Sequence, residues 1–305
     1  MRVASLHVYP VKGCHRIDLD EAVVEPWGLA GDRRWLTVDA DGKLVSQREV
    51  RALATVRPRL TGAGVRLSAP GLEDLDVGAV PGPPVEADVW GNRFQATSCG
   101  PEADAWLSRV AGRELRLVWM DDPTRRPVEQ GWSQPGDVVS AADGYPLLLA
   151  SASSLDALNG WIAAESSPDE VVPMTRFRPN VVVEGAPAWA EDAWTGRRLR
   201  VGDVVLRVAN PCARCVMTTT DQESGSVAAS PCARWRGTAT STSSSCSPST
   251  PSRTAPACCA WATRSRSWTD APDVAQPCAR RAAWAATLRC IPPKTMPWNG
   301  LTDHQ

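Results

Sequence analysis

Histidine is scarce in this chain, net charge is almost absent, and long apolar runs are missing. Three histidines in 305 residues leave too few nitrogen ligands for an ordinary structural zinc site, which takes about four ligands from Cys and His. A formal charge of -1 gives no overall electrostatic case for nucleic acid or an anionic membrane as partner. No apolar run reaches the ~18 residues that a membrane span requires. The first residues, Met1 to His7, enter strand-like sequence directly. They lack the charged, apolar, small layout of a secretory signal, so a cytoplasmic protein is expected. What is present is ample for a core. Hydrophobic residues make up 43% and charged residues 22%, and the length suits two domains.

The averages conceal a break near residue 231. The tail, residues 232–305, holds nine Lys and Arg, three Asp and no Glu, which puts it at +6 and the front at -7. It carries six of the ten cysteines and five of the fourteen tryptophans, yet only Val274, Leu288, Ile291 and Leu301 as branched aliphatics. Such a segment cannot build a continuous core. A disulfide-stapled module conflicts with a cytoplasmic location. A functional disordered tail is usually poorer in Trp and Cys. The preferred reading is a tail translated out of frame from a GC-rich gene. One codon choice for Cys259–Thr269, read two bases on, gives Arg-Val-Gly-Asp-Pro-Val-Glu-Val-Leu, which echoes Arg200 to Val205 upstream. On that reading the β-structure loses its closing strands and exposes an edge.

Ahead of the break, the pattern is mainly β with a few helices. Short strands are expected around Val3–Val11, Ala22–Glu25, Thr55–Leu60, Val65–Leu67, Val85–Val89 and Arg116–Trp119. A hairpin is expected over Trp35–Val45, turning at Asp41-Gly42. Strands this short and frequent indicate a barrel or sandwich. One helix is clear: Pro101-Glu102 opens it, Ala103, Trp106, Leu107 and Val110 form its stripe, and Gly112 ends it. Residues 121–136 read as a proline-bearing inter-domain loop. Beyond it come a buried strand at Pro146–Ala150, a helix capped by Ser153, and strands at Val181–Val183, Leu199–Val201 and Val204–Val208.

The segment richest in chemistry is Asn210-Pro211-Cys212-Ala213-Arg214-Cys215-Val216-Met217-Thr218-Thr219-Thr220-Asp221. Two thiols flank a guanidinium, and a nearby cation raises the thiolate fraction that acts as nucleophile or metal ligand. The β-branched continuation predicts a strand after Cys215, with the thiols at its rim. That disfavours a thioredoxin-type pair, which wants a helix there. An inert core pair and a soft transition-metal ligand both remain open.

Further motifs surround it. Arg176-Phe177-Arg178-Pro179-Asn180-Val181-Val182-Val183, Ala190-Glu191-Asp192-Ala193-Trp194 and Leu199-Arg200-Val201-Gly202 precede the cysteines. Together they resemble the MOSC domain, the C-terminal domain of molybdenum cofactor sulfurase. Val8-Tyr9-Pro10-Val11-Lys12-Gly13-Cys14, Gly31-Asp32-Arg33-Arg34-Trp35 and Ser46-Gln47-Arg48 resemble the N-terminal β-barrel domain that accompanies it. The pairing is similar to the mitochondrial amidoxime-reducing component and its bacterial relatives, over about residues 1–230.

The resemblance implies an N-terminal β-barrel domain at 1–120, the loop at 121–136, a MOSC β-barrel domain at 137–231 truncated at its C-terminal end, and the atypical tail at 232–305. It implies a molybdenum cofactor, molybdopterin, in the cleft between the domains. Cys215 becomes the metal ligand and catalytic residue, with Cys212 second to it. Lys12, Arg33, Arg48, Arg178 and Asn180 become cofactor-binding residues, and Gly13 stands where relatives often carry a small hydroxylated residue. Asp192 and Asp221 are weaker candidates, Asp221 serving to order the Thr219 loop. Pyridoxal phosphate binding is a further property of the family at large. The implied activity is reduction of small N-hydroxylated substrates. The chain has no four-cysteine ferredoxin spacing, so the electrons come from a separate ferredoxin- or flavin-linked donor. The alternative is a cofactor or sulfur carrier that turns over no substrate. Cys14 and Cys99 are expected to be structural thiols, and Tyr145 a turn or entrance residue.

Overall fold

The computed structural model describes residues 1–128, 131, 133–165, 167–227, 259–264 and 286–289. Among the described residues the chain is mainly sheet with two α-helices, as its short-strand pattern implies. The strands are β1 (Arg2–Val8), β2 (Ile17–Leu19), β3 (Glu21–Glu25), β4 (Gly28–Leu29), β5 (Trp35–Val38), β6 (Arg57–Thr61), β7 (Gly64–Ser68), β8 (Leu75–Gly78), β9 (Pro84–Val89), β10 (Asn92–Ser98), β11 (Arg116–Trp119), β12 (Leu147–Ser151), β13 (Val181–Glu184), β14 (Arg198–Val201), β15 (Val204–Pro211), β16 (Cys259–Arg264) and β17 (Ala286–Arg289). The helices are α1 (Pro101–Ala111) and α2 (Ala152–Glu165).

Four sheets result. The largest runs β14-β15-β16-β12-β13-β1-β2; the others run β5-β11-β10-β9, β17-β3-β4 and β6-β7-β8. The large sheet explains the unbroken apolar run at Leu147–Ala150. Leu147 and Leu149 join the core of Val3, Leu6, Val8, Val181, Val183 and Val208, whereas Leu148 and Ala150 pack on the opposite face with Leu158, Ile162 and Phe177. A strand covered on both faces has no polar side to present. β12 and β13 are parallel, which requires a crossover, and α2 supplies it. The front half has its own core, in which Trp106 and Leu107 of α1 meet Val11, Leu53, Leu67 and Leu117. α1 ends where expected, with Gly112 in the left-handed region at φ 65°.

β1 crosses the expected domain division. It lies antiparallel to β13, between that strand and β2 in the sheet built mainly by the second half. This seating brings the turn after β1 against residues 176–180 and so positions the site.

The structure departs from the sequence expectations at several points. β16 lies between β15 and β12, antiparallel to both, and β17 pairs with β3. The expected loss of closing strands is therefore corrected: two tail segments pair with the sheets, and Leu288 is buried. The remaining tail, and with it most of the out-of-frame reading, lies outside the described residues. Arg51–Thr55 forms a 3-10 turn before β6, so that strand starts later than its apolar pattern suggests. α2 begins at Ala152, which places Ser153 inside it rather than at its cap. Val216–Thr219 is a 3-10 turn, not a strand. Thr218 and Thr219 bend their hydroxyls back to the carbonyls of Cys215 and Val216, at 3.1 and 2.7 Å. Hydroxylated side chains that satisfy nearby carbonyls favour a turn over a ladder.

Candidate functional site

Two turns carry the basic residues forward. After β1, Tyr9 to Cys14 folds back, with Tyr9 N donating to Asp32 Oδ1 at 2.8 Å and Cys14 N to Val11 O at 3.0 Å. Gly13 has φ 85°, and a Cβ there would stand 3.4 Å from Ser46 Cα. A hydroxylated residue at this position would be strained by backbone conformation alone.

Arg33 and Arg178 both occupy the left-handed region, at φ 48° and 57°. Such conformations cost about 1–3 kcal/mol for a residue bearing a Cβ and collect at functional sites. Both guanidinium groups lie over the Tyr9 ring, 4.7 and 4.1 Å from its centroid. Arg33 Nη1 donates to Asp32 Oδ2 at 2.5 Å and to Asn180 Oδ1 at 3.0 Å. Asn180 is fully buried; Leu148 N donates to its Oδ1 at 3.1 Å, and its Nδ2 donates to His7 O at 3.1 Å. Its side chain thus stitches β1 to β12 and steadies Arg33.

Lys12 is buried, and its Nζ donates to Asp143 Oδ1 at 2.5 Å. Burial pulls its pKa down to about 8 despite that partner. Partial desolvation favours a neutral Asp143, but Lys12, Trp90 and Arg48 together hold its half-exposed carboxyl well below the usual range. Trp90 Nε1 donates to the same oxygen at 3.0 Å, and the exposed Arg48 guanidinium lies 4.3 Å over the Trp90 ring. Burial, with Arg33 close by, lowers Arg178 to about 10, and burial pushes Tyr9 up to about 12.

Arg178 Nη1 is buried with no hydrogen-bond partner among the described residues. A guanidinium left this way is costly unless an acceptor arrives. Three buried cations, Lys12, Arg33 and Arg178, face two carboxylates, Asp32 and Asp143. The surplus positive charge and the unmet donor suit a phosphate group, so the donor set fits the phosphate of a pterin cofactor.

The thiol segment docks from the other side. Cys215 is exposed and stands just past the end of β15, at the start of the 3-10 turn. Cys212 packs against the core beneath α2. Arg214 lies over Phe177, 5.1 Å from its centroid, one residue before Arg178. Arg176 Nη1 donates to Thr219 O at 2.7 Å and its Nη2 lies 3.3 Å from Asp221. Asp221 accepts from the backbone N of Glu223 and of Ser224, both at 3.0 Å, and so orders the loop after Thr219. Glu223 then reaches across to the front half, where His15, Arg16 and Arg57 contact it at 3.0, 2.8 and 2.7 Å.

The structure thus brings Lys12, Arg33, Arg178 and Asn180 into one buried cluster, sets Arg48 at its exposed margin, and ties the Cys215 loop to the turn that carries Arg178. Asp192 is exposed and takes no place in the cluster. Tyr145 is buried against Val128, Val139 and Ala209 rather than lining an entrance. Cys14 and Cys99 are unbridged thiols whose pKa burial pushes up to about 12. Sequence reasoning missed Tyr9, Asp32, Asp143, Trp90 and Glu223. Asp32 precedes Arg33 in a motif already singled out, and the turn at Asp143-Gly144 was visible. Nothing local points to Trp90 or Glu223, whose roles arise only across the fold.

These features define a mainly-β scaffold with a buried cationic cluster suited to an anionic group, and comparison with known proteins places it in a family. Residues 1–114 match the MOSC N-terminal beta barrel domain and residues 136–246 the MOSC domain. The chain belongs to the MOSC family. It is 32% identical over 235 residues to mitochondrial amidoxime-reducing component 1 of Mus musculus, covering 73% of this chain and 66% of that protein. The Homo sapiens counterpart gives 32% identity, with 73% and 67% covered. Molybdenum cofactor sulfurase of Danio rerio is 29% identical over 240 residues, 72% of this chain and 28% of that protein. The chain therefore spans about two thirds of the length of the amidoxime-reducing components it matches. A Bordetella bronchiseptica protein solved in solution aligns with 32% of this chain and 77% of its own, at 25% identity and a TM-score of 0.29. Among the described residues, no helix is long and apolar enough to cross a membrane.

Proposed function

We propose that this chain is a molybdenum-cofactor-dependent oxidoreductase that reduces small N-hydroxylated compounds, with electrons from a separate ferredoxin- or flavin-linked donor protein. The observation that carries the reading is the unmet Nη1 of Arg178 in a buried cradle with a surplus of positive charge. Lys12, Arg33 and Arg178 hold the molybdopterin phosphate. Asn180 fixes Arg33, and Arg48 closes the exposed side on Trp90. Cys215 ligates the metal, and its exposure leaves the thiol open to an incoming group. When bound, the cofactor supplies the two-electron chemistry that removes oxygen from an N–OH group. The protein contributes the ligand, the orientation and the charge balance.

The experiment is elemental analysis and pterin fluorescence on the purified chain, followed by reduction of an amidoxime with a chemical electron donor. Molybdenum and pterin together with turnover support the proposal. Full molybdenum retention after Cys215→Ser refutes the ligand assignment, and the same change at Cys212 is expected to matter less.

A second reading has one specific support. Cys215 is exposed, and relatives include molybdenum cofactor sulfurase, so a carrier of cofactor or of persulfide sulfur uses the same residues. Cofactor present without turnover favours the carrier.

A further inference from the structure

A second chemical arrangement stands on the β1–β2 pair, built from side chains that the cradle does not use. Ser5 and His7 are two apart on β1 and therefore share a face. Asp18 of β2 is the register partner of His7. Ser5 Oγ lies 2.9 Å from His7 Nε2, and His7 Nδ1 lies 2.6 Å from Asp18 Oδ1. A carboxylate only accepts, so in the neutral ring Nδ1 carries the proton and donates to Asp18. Nε2 is then an acceptor, and the Ser5 hydroxyl donates to it. Burial pushes His7 below its ordinary value against the pull of Asp18, which favours that neutral ring at neutral pH. Arg16 Nε donates to Asp18 Oδ1 at 2.9 Å and holds the carboxylate in place.

The surroundings fit an accessible nucleophile. His7 is buried, Ser5 is half-buried and Asp18 is 62% exposed. β2 is the last strand of the large sheet, so the arrangement opens at the sheet margin rather than in the core. A register irregularity between Val3 and Ser5 breaks the regular ladder beside the serine, and such bulges re-aim the side chains next to them.

We propose that Ser5, His7 and Asp18 form a nucleophilic triad that takes the acyl group of a small carboxylic ester. Ser5 Oγ bonds to the acyl carbon while His7 Nε2 accepts the hydroxyl proton. The ester C–O bond breaks, and the alcohol leaves with that proton. Water then attacks the acyl-serine with His7 as base, releasing the carboxylic acid and restoring the serine hydroxyl. No electrons are gained or lost. Asp18 fixes the tautomer and offsets the imidazolium charge, as in other triads. This activity is independent of Cys215 and of any cofactor.

The test treats the full chain with a fluorophosphonate, which reacts with activated serines, and maps the adduct by peptide mass spectrometry. The expected result is one adduct on Ser5, absent in Ser5→Ala. Labelling should slow at least about 100-fold in His7→Gln, the scale of a lost general base, and at least tenfold in Asp18→Asn. p-Nitrophenyl acetate hydrolysis should fall in the same order. No adduct on Ser5, or equal labelling in wild type and His7→Gln, overturns the proposal. The wild-type adduct map decides the matter even if a variant fails to fold.

Discussion

Lys12 and Asp143 meet at 2.5 Å across 131 residues of sequence, joining the turn after β1 to the loop before β12. The ammonium is buried, whereas the carboxylate is 46% exposed. The pair therefore acts as a clamp between the halves with one side open to solvent.

Asp143→Asn should leave that ammonium without its counter-charge. Removing one partner of a fully buried pair costs about 3–5 kcal/mol, and the exposure of Asp143 reduces this to about 2 kcal/mol at pH 7. Lys12 already has a folded pKa of about 8, below its ordinary 10.5. The unfolded chain thus binds the extra proton between those values, and Lys12's contribution to stability rises with pH across that window. The penalty in the variant should shrink by pH 9, as the buried amine becomes neutral. Urea unfolding at pH 7 and pH 9 checks both the loss and its trend.

Arg178→Met should separate binding from folding. The guanidinium is buried and lowered to about 10, so its removal relieves the folded protein while it deletes an anion donor. Retained pterin should fall at least about tenfold, as losing a charged hydrogen bond of about 1.5–3 kcal/mol implies. The melting temperature should hold or rise. Pterin content and thermal melts read the two effects independently.

Glu223→Gln should loosen the loop that follows Cys215. Its carboxyl is drawn down to about 2, first by the Arg16 hydrogen bond, with burial opposing and Arg57 and His15 adding to the pull. That stabilisation is present above the ordinary value of 4.5 and is lost as pH falls toward 2. Because the side chain is half exposed, the effect should be about 1 kcal/mol. Hydrogen exchange of residues 216–227 should rise in the variant at pH 7 and differ little from wild type at pH 2.

Ending the chain at residue 258 removes β16 and β17 and uncovers edges of β12, β15 and β3. Unpaired edges of this kind template association. The shortened protein should sediment as higher oligomers, whereas ending it at residue 289 should not produce them.

Several of these positions were legible in sequence, and the reasons differ. α1 was clear because its apolar stripe, opening proline and closing glycine all act within one helix. Lys12, Arg33 and Arg178 stood out through linked motifs. Their shared contact with Tyr9 did not, since it joins positions 9, 33 and 178 through the fold. The turn at Val216–Thr219 was misread because β-branched residues suggest a strand. The threonine hydroxyls instead satisfied nearby carbonyls and closed a turn. The tail looked unable to close a sheet because its composition is poor in aliphatics. Backbone pairing in β16 answers to position between two open strands as well as to side chains.

The seating of β1 beside β13 constrains the order of events on the ribosome. β1 can pair with β2 at once, but its other neighbour, β13, is synthesised some 175 residues later. At about 5–20 residues per second that delay is roughly ten to thirty seconds. During that interval Val3, Leu6 and Val8 lack the part of their core that Leu147, Leu149, Val181 and Val183 supply. Nascent chains of this protein should depend on holding factors until residue 184 has cleared the exit tunnel.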